Sequence, residues 1–214
     1  MRRRFDEQLE ELNQQMQRMG MMVEESIQKA IEALLKQDVE LAQATMESDS
    51  LVDQKQKEIE SICFMLLMQQ QPVASDLRVI SSALKMVTDM ERIGDHAADI
   101  SEMTIHLANE PYIKNLEHVR QMATETTWML IQSIDAYVEK DIKKAMKVIA
   151  HDDIVDELFV NAKKELIDLI HKDKNNGEQA ADLLMVAKYF ERIGDHATNI
   201  AEWVIFSIDK TPKG

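Results

Sequence analysis

A ten-residue motif that occurs twice restricts the fold of this 214-residue chain more than any other feature. Residues 91–100 read ERIGDHAADI, and residues 191–200 read ERIGDHATNI. A long internal repeat indicates that one folding unit has been duplicated, so the two halves are expected to share one architecture. The repeat is acidic, and it must therefore lie where its charges are tolerated or used.

Low glycine and proline contents favour helices. Five glycines and three prolines leave little of the turn chemistry that a β or α/β fold needs. Apolar residues recur at steps of three and four, the period of amphipathic helices. The pattern predicts an all-α fold of two tandem, duplicated three-helix bundles, residues 1–109 and 112–214. The six predicted helices span residues 5–36, 38 to about 71, 75 or 76 to about 109, 113–140, 141–172 and 178–209, and a polar loop occupies residues 173–177. Asp38 is the predicted N-cap of the second helix, and Ser75 or Asp76 is that of the third.

Composition excludes several classes of protein. Asp and Glu number 39 against 25 Lys and Arg, and the resulting net charge of -14 argues against a nucleic-acid partner. Acidic residues follow the basic start where a signal peptide needs an apolar stretch, and no apolar run is long enough to span a bilayer. We therefore predict a soluble cytoplasmic protein. The single Cys63 is interpreted as a small buried hydrophobic residue.

Each motif carries a line of carboxylates along one helix. Glu91, Asp95 and Asp99 are four residues apart, so they advance by about 40° per step along one side of a helix. Like charges at this spacing repel each other unless a cation binds between them. The second motif repeats Glu191 and Asp195, and Asn199 stands where the first motif has an aspartate.

The second predicted helix of each half also carries an acidic pair, Asp49 with Asp53 and Asp152 with Asp156. If the second and third helices lie side by side, these carboxylates face the motif. Several hard oxygen ligands suit Mg, Mn, Fe or Zn ions, with more than one ion per unit where carboxylates bridge. The predicted metal ligands are Asp49, Asp53, Glu91, Asp95, Asp99, Asp152, Asp156, Glu191 and Asp195.

Two further features favour an ion site over an ordinary acidic face. Glu91 and Glu191 occupy apolar seam positions, and Gly94 and Gly194 follow three residues later, at a cost of about 1 kcal/mol in helix propensity relative to alanine. The alternative is a solvated face on which the arginines after each glutamate pair with neighbouring acids. His96 and His196 lie about 100° round the helix from the central aspartates, so we interpret them as surface or inter-unit groups.

The sequence carries no catalytic signature. A ferritin-like di-iron centre needs Glu-x-x-His on two helices, and neither that pattern nor a phosphate-binding loop, nucleophile elbow or cysteine pair is present. We therefore predict no catalytic residues and no enzyme. A metalloenzyme that uses the carboxylates, and a metal-free helical scaffold, remain as alternatives.

The duplicated motif and the upstream acidic pairs together resemble the PhoU family of phosphate-transport regulators over essentially the whole chain. The E(D)xxxD motif of that family matches Glu91–Asp95 and Glu191–Asp195 on third helices, and Asp49–Asp53 and Asp152–Asp156 on second helices. The resemblance implies two similar three-helix bundles with multinuclear metal clusters on their acidic faces. Because Asn199 departs from the acidic pattern, the nuclearity of the second cluster stays open.

The resemblance also implies a role. A PhoU-like protein would be a negative regulator of the phosphate-starvation response that couples the phosphate-specific ABC transporter to a membrane sensor histidine kinase. It would act as a cytoplasmic adaptor without chemistry of its own, and would contact the transporter ATPase and the kinase at the inner membrane surface. Helix seams and partner-facing surfaces have similar sequences, so a homodimer and a monomer both remain open.

Overall fold

The computed structural model describes residues 2–69 and 73–209, and the described chain is almost entirely helical, which confirms the all-α prediction. The helices are α1 (Arg2–Lys36), α2 (Val39–Gln69), α3 (Ala74–Leu107), α4 (Glu117–Glu139), α5 (Ile142–Lys172) and α6 (Gly177–Ile208). A short 3₁₀ helix, Lys174–Asn176, precedes α6. Within the described residues, no helix is long and apolar enough to cross a membrane.

The first turn of each half has the same construction. Gln37 and Lys140 adopt left-handed φ angles of 53° and 54°, which end α1 and α4. The next residue is an aspartate that caps the following helix: the Asp38 carboxylate accepts from the Leu41 amide at 3.0 Å, and Asp141 accepts from the Lys143 amide at 2.8 Å. A side-chain oxygen at this position satisfies an amide that has no partner within the helix, so the predicted Asp38 cap is confirmed.

The third helix and the polar loop before α6 differ from their predicted forms. The third helix begins at Ala74 after Val73, so neither Ser75 nor Asp76 is its N-cap; the Asp76 carboxylate instead accepts from the Val73 amide at 3.3 Å. That helix ends at Leu107, before the predicted break at 109–111. The predicted polar loop at 173–177 contains the 3₁₀ helix, and α6 already begins at Gly177. The predicted end of the second helix, at residues 71–72, lies outside the described residues.

The fourth helix starts at Glu117, four residues later than predicted. Residues 112–114 are held by contacts to other parts of the fold. The Ile113 amide donates to Gln179 Oε1 at 2.6 Å, the Tyr112 hydroxyl donates to the Leu34 carbonyl at 2.6 Å, and Lys114 pairs with Glu165. These tertiary bonds take the place of a first helical turn.

The helices pack as two three-helix bundles, α1–α3 and α4–α6, which meet where α3 lies against α6 and α1 against α4. Buried apolar side chains form one continuous core through both bundles. The lone Cys63 belongs to this core, and burial raises the pKa of its thiol to about 12, as expected for an inert buried cysteine. The arrangement places the acidic faces of α2 and α3 next to each other.

Candidate metal centre

Three aspartates from two helices converge in the first bundle. One carboxylate oxygen each from Asp49 and Asp53 on α2 and from Asp95 on α3 lies within 4.8 Å of the other two. The four-residue spacing places both α2 aspartates on one side of that helix, where they face α3. We call Asp49, Asp53, Glu91 and Asp95 the first carboxylate cluster.

The missing side chain of Gly94 allows α2 and α3 to approach at this point. A Cβ atom at Gly94 would lie 3.3 Å from Asp49 Oδ1 and 3.2 Å from Val52 Cγ1, closer than side chains normally pack. The glycine therefore lets the Asp49 carboxylate rest directly against the α3 backbone. Gly194 has the same role in the second bundle, where its Cβ would lie 3.3 Å from Asp152 Oδ1.

Glu91 extends the first cluster along α3, and Arg92 borders it. The Glu91 side chain is 15% exposed, and Arg92 Nε lies 3.5 Å from its Oε2. Arg92 Nη1 lies 2.8 Å from Asp95 Oδ2, and the arginine side chain is 56% exposed. Arg92 supplies one positive charge against the four carboxylates of the cluster, so the cluster keeps a net negative charge.

The structure places Asp99 at the edge of the site rather than at its centre. Its Oδ2 lies 3.1 Å from His96 Nδ1 on the same helix. The carboxylate is still near enough to Asp49 to help raise the pKa of that residue. Asp99 therefore contributes charge to the cluster while it makes its direct contact with a histidine.

Burial and the neighbouring carboxylates raise the pKa values of two acids of the first cluster, Asp49 and Glu91. Burial first, and then the charges of Asp95, Asp53 and Asp99, raise the pKa of Asp49 to about 6. Burial and the neighbouring carboxylates also raise the pKa of Glu91, against the opposing effect of Arg92. A group whose ionised form is disfavoured in this way gains most from a bound cation.

The second bundle repeats this arrangement in a more open form. Burial, Asp195 and Asp156 raise the pKa of Asp152 to about 6, although the nearby Thr198 hydroxyl favours the ionised form. No hydrogen bond with a described residue reaches the buried Oδ1 of Asp152. Asp156 and Asp195 are more exposed than Asp53 and Asp95 of the first bundle, although Asp195 is still partly desolvated. We call Asp152, Asp156, Glu191 and Asp195 the second carboxylate cluster, and its members do not form a triple as close as that of the first.

A lysine accounts for part of this difference. Lys188 forms an ion pair with Glu191, and it also opposes the rise in the pKa of Asp195 that burial and Glu191 produce. On α5, His151 Nε2 lies 2.6 Å from Glu125 Oε2, directly beside Asp152 in the sequence. The second cluster is more solvated because Asp156 and Asp195 are more exposed than Asp53 and Asp95, and Lys188 balances part of its charge.

The two motif histidines meet between the bundles. The ring centroids of His96 and His196 are 5.6 Å apart, and His96 is only 8% exposed. Both histidines therefore lie between the two units, as one of the two predicted placements has it. The other placement, at the surface, is wrong for His96. Burial lowers the pKa of His96, although Asp99 acts in the opposite direction. The lowered pKa favours the neutral ring.

Asp89 and Tyr189 complete this contact, and the sequence interpretation missed both. Asp89 Oδ1 lies 2.8 Å from His196 Nδ1 and accepts from Asn199 Nδ2 at 3.2 Å. Tyr189 stacks on His96 with ring centroids 5.7 Å apart. Each residue lies two positions before its ten-residue motif. An alignment of the two repeats extended by two positions could therefore have identified them.

Stability should respond to pH through the two clusters. Asp49 and Asp152 have folded-state pKa values of about 6 against an ordinary 3.8, so the folded protein binds protons between these values that the unfolded chain does not. The free energy of unfolding of the metal-free protein should therefore rise as pH falls from 7.5 to 5, by about 1 kcal/mol per group after allowance for solvent screening. Urea unfolding at both pH values measures this change.

The double variant Asp49→Asn/Asp152→Asn is the matched control for that experiment. The variant should be more stable than wild type at pH 7.5, and its advantage should shrink at pH 5. The comparison cancels other titrating groups such as His96, whose lowered pKa acts with the opposite sign. A constant difference between the two proteins across this range would contradict the assignment.

Comparisons with known proteins identify the family of this chain. The PhoU domain family model matches residues 16–104 and again residues 119–204. A relative from Clostridium acetobutylicum, named phosphate-specific transport system accessory protein PhoU homolog, is 41% identical over 208 residues, covering 97% of this chain and 95% of its own length. A similarly named relative from Aquifex aeolicus is 40% identical over 185 residues, covering 86% of this chain and 84% of its own length.

Solved structures show the same fold. The crystal structure of PhoU from Pseudomonas aeruginosa superposes with a TM-score of 0.93 at 34% identity, over 97% of this chain and 100% of that chain. The phosphate transport system regulatory protein PhoU from Streptococcus pneumoniae superposes with a TM-score of 0.87 at 30% identity, over 95% of this chain and 96% of that chain. Sequence and structure therefore agree that this chain belongs to the PhoU family.

Proposed function

We propose that this protein is a regulatory accessory protein of phosphate-specific transport. Family membership over both halves of the chain is the observation that carries the proposal. The relatives are named as accessory proteins of that transport system, and the Streptococcus pneumoniae structure is named a regulatory protein. Regulation by contact requires no catalytic residues, in keeping with a sequence that carries no catalytic signature.

We further propose that the protein is a cytoplasmic adaptor that restrains the phosphate-starvation response. Its partners in this role are the ATPase of the phosphate transporter and a sensor histidine kinase, and it reaches the membrane through them. The family resemblance of the duplicated motifs supports this finer role. A rigid all-helical body that offers two related faces suits a protein that must contact two partners.

The two carboxylate clusters are proposed as ion sites within this adaptor. Asp49, Asp53, Glu91 and Asp95 would hold the ion or ions of the first site, and Asp152, Asp156, Glu191 and Asp195 those of the second, with Asp99 as an outer charge of the first. The donors fit, because the oxygens are hard, the three central aspartates converge within 4.8 Å, and the pKa of Asp49 is raised. When bound, divalent or trivalent ions such as Mn, Mg, Fe or Zn would neutralise the carboxylates and cross-link adjacent helices.

Deletion of the gene in its own host tests the regulatory role. Loss of the protein should raise phosphate uptake at high external phosphate several-fold, because a negative regulator has been removed. The wild-type gene should restore the low rate. The variant Asp49→Asn/Asp53→Asn/Glu91→Gln/Asp95→Asn should not, if the first cluster shapes the partner-binding face. Uptake that is indifferent to the deletion would contradict the proposed role.

Substitution of Gly94 by alanine should separate ion binding from stability. The new Cβ would press on Asp49 Oδ1 and Val52, and the carboxylate must then move by a few tenths of an ångström. Mn²⁺ affinity at the first cluster should fall by about tenfold, the lower end of the loss seen when support for a metal ligand is disturbed. Thermal stability should change little, because alanine gains about 1 kcal/mol of helix propensity that offsets the tighter packing.

Gly177→Ala is the matched control for this experiment, since a Cβ added to this residue at the start of α6 would point into open space. That variant should bind Mn²⁺ with wild-type affinity in the same calorimetric titration. Equal affinities for the Gly94→Ala and Gly177→Ala proteins would show that close approach of α3 to Asp49 has no part in ion binding.

A further inference from the structure

The contact between α3 and α6 contains the same residue from both halves of the repeat. His96 and His196 follow directly after Asp95 and Asp195, and their ring centroids lie 5.6 Å apart with the rings inclined by 34°. One aspartate of each carboxylate cluster is therefore adjacent in sequence to a histidine at the junction between the bundles. The junction itself is well packed, since His96 is 8% exposed.

Each histidine is also held by the opposite bundle. His196 Nδ1 lies 2.8 Å from Asp89 Oδ1 on α3, and His96 stacks on Tyr189 of α6 at a centroid distance of 5.7 Å and an interplanar angle of 27°. Because Asp89 and Tyr189 are equivalent positions of the repeat, the contact is reciprocal. We call His96, His196, Asp89 and Tyr189 the histidine clasp.

The clasp and the clusters are parts of the same rigid helices. Asp95 and His96 are consecutive residues of α3, and Gly94 packs that helix tightly against Val52 of α2. A shift or rotation of α3 that brings Asp95 closer to the α2 aspartates must also move His96 against α6. Packed interfaces of this kind tend to switch between discrete arrangements instead of deforming gradually.

We propose that the histidine clasp couples the two carboxylate clusters, so that occupancy of one by a divalent cation changes the affinity of the other. The inference rests on the ion binding proposed above and adds a regulatory relation between its two sites. Such a coupling must be reciprocal, since each site changes the affinity of the other by the same factor. If each bound cation raises the affinity of the other cluster, the two clusters fill over a narrower range of cation concentration than two independent sites. If each lowers it, they fill over a wider range.

Calorimetric titration of metal-free protein with Mn²⁺ tests the coupling. The variant Asp152→Asn/Asp156→Asn keeps only the first cluster, and Asp49→Asn/Asp53→Asn keeps only the second. Independent sites would make the wild-type titration equal to the sum of these two. We expect a departure from that sum of about fivefold or more in the affinity of the second binding event, the usual lower range for coupled sites.

Removal of the clasp should abolish this departure. In the His96→Ala/His196→Ala background, the full protein should titrate as the sum of its single-cluster versions. If that double variant does not fold, the single variant His196→Gln serves instead, because the His196 side chain is 23% exposed. His171→Gln, an exposed histidine at the end of α5, is the matched control and should keep wild-type coupling.

Amide hydrogen exchange supplies a readout that a merely structural role would not change. Mn²⁺ added to the Asp49→Asn/Asp53→Asn protein can occupy only the second cluster, yet it should alter exchange near residues 93–97 of α3. The effect should vanish when the clasp is removed. Additive wild-type titration, or coupling that survives in the clasp variants, would overturn the inference and leave ion binding intact. An absence of Mn²⁺ binding by wild-type protein would overturn the proposed ion sites and the coupling with them.

Discussion

Addition of Mn²⁺ to the metal-free protein is expected to raise its melting temperature by about 5 to 10 °C for each cluster that it fills. A ligand that binds only the folded state at one hundred times its dissociation constant stabilises that state by about 2.7 kcal/mol, and each kcal/mol shifts the melting temperature of a chain of this size by about 2 to 4 °C. Among the proposed ligands, Asp49 and Glu91 have raised pKa values and should therefore gain most from the bound cation. Differential scanning calorimetry in metal-free buffer, before and after Mn²⁺ is added, measures the shift.

The variant Asp49→Asn/Asp53→Asn/Glu91→Gln/Asp95→Asn should lose the share of this shift that belongs to the first cluster. Without metal it should be at least as stable as wild type, because four mutually repelling charges are removed. A second variant, Glu10→Gln/Glu11→Gln/Glu40→Gln/Glu117→Gln, removes the same number of charges from exposed positions and should keep the full shift. Equal behaviour of the two variants would favour the metal-free scaffold.

Truncation of Phe190 should produce the largest loss of stability among the substitutions considered. This side chain is fully buried on α6, and Phe→Ala in a core costs about 3 to 5 kcal/mol. The melting temperature should therefore fall by about 10 °C. Because the apolar core continues through both bundles, the loss should move one cooperative transition and should not split it into two. Calorimetry and circular dichroism together distinguish these results.

Phe206→Ala is the control for that experiment. Phe206 lies near the end of α6, is 37% exposed, and has its ring 4.6 Å from the Arg78 guanidinium carbon. Its truncation should cost about 1 to 2 kcal/mol, because it removes a partly buried ring together with a partly solvated cation–π contact. Two separate transitions in Phe190→Ala would show that the bundles unfold independently and that the shared core is not cooperative.

The helices were predictable because their signals are local. Steps of three and four between apolar residues, and an aspartate such as Asp38 before a new apolar run, depend only on neighbouring positions. The contact between α2 and α3 was only a condition of the predicted site. The seam Glu91 and Gly94 indicated that a neighbouring backbone or a bound group comes close to the helix there, without indicating which. Gly94 does lie against Asp49 and Val52.

The features that the sequence did not predict depend on contacts between distant segments. The start of α4 at Glu117 reflects bonds from residues 112–114 to α1, α5 and α6, and no local pattern contains them. The burial of His96 depends on how α3 crosses α6. Asn199, read from the sequence as a missing charge, instead donates a hydrogen bond to Asp89 from the other bundle.

The difference between the two clusters also required the fold. In sequence the second cluster lacks only the equivalent of Asp99, yet in the structure Lys188 pairs with Glu191 and two of its aspartates are exposed. A neighbouring positive charge and exposure to water both weaken the repulsion among the carboxylates of a metal-free cluster. They therefore also reduce the free energy gained when a cation binds there. We therefore expect the first cluster to bind ions more tightly than the second.

Elemental analysis of protein purified without an affinity tag tests the central proposal most directly. The wild-type chain should contain at least one equivalent of a transition metal or magnesium. The variant Asp49→Asn/Asp53→Asn/Glu91→Gln/Asp95→Asn should lose the ion bound at the convergent aspartates. An equal, near-zero metal content in the two proteins would contradict the proposed ion sites, and the converging acids would then be an unfilled feature of a helical scaffold.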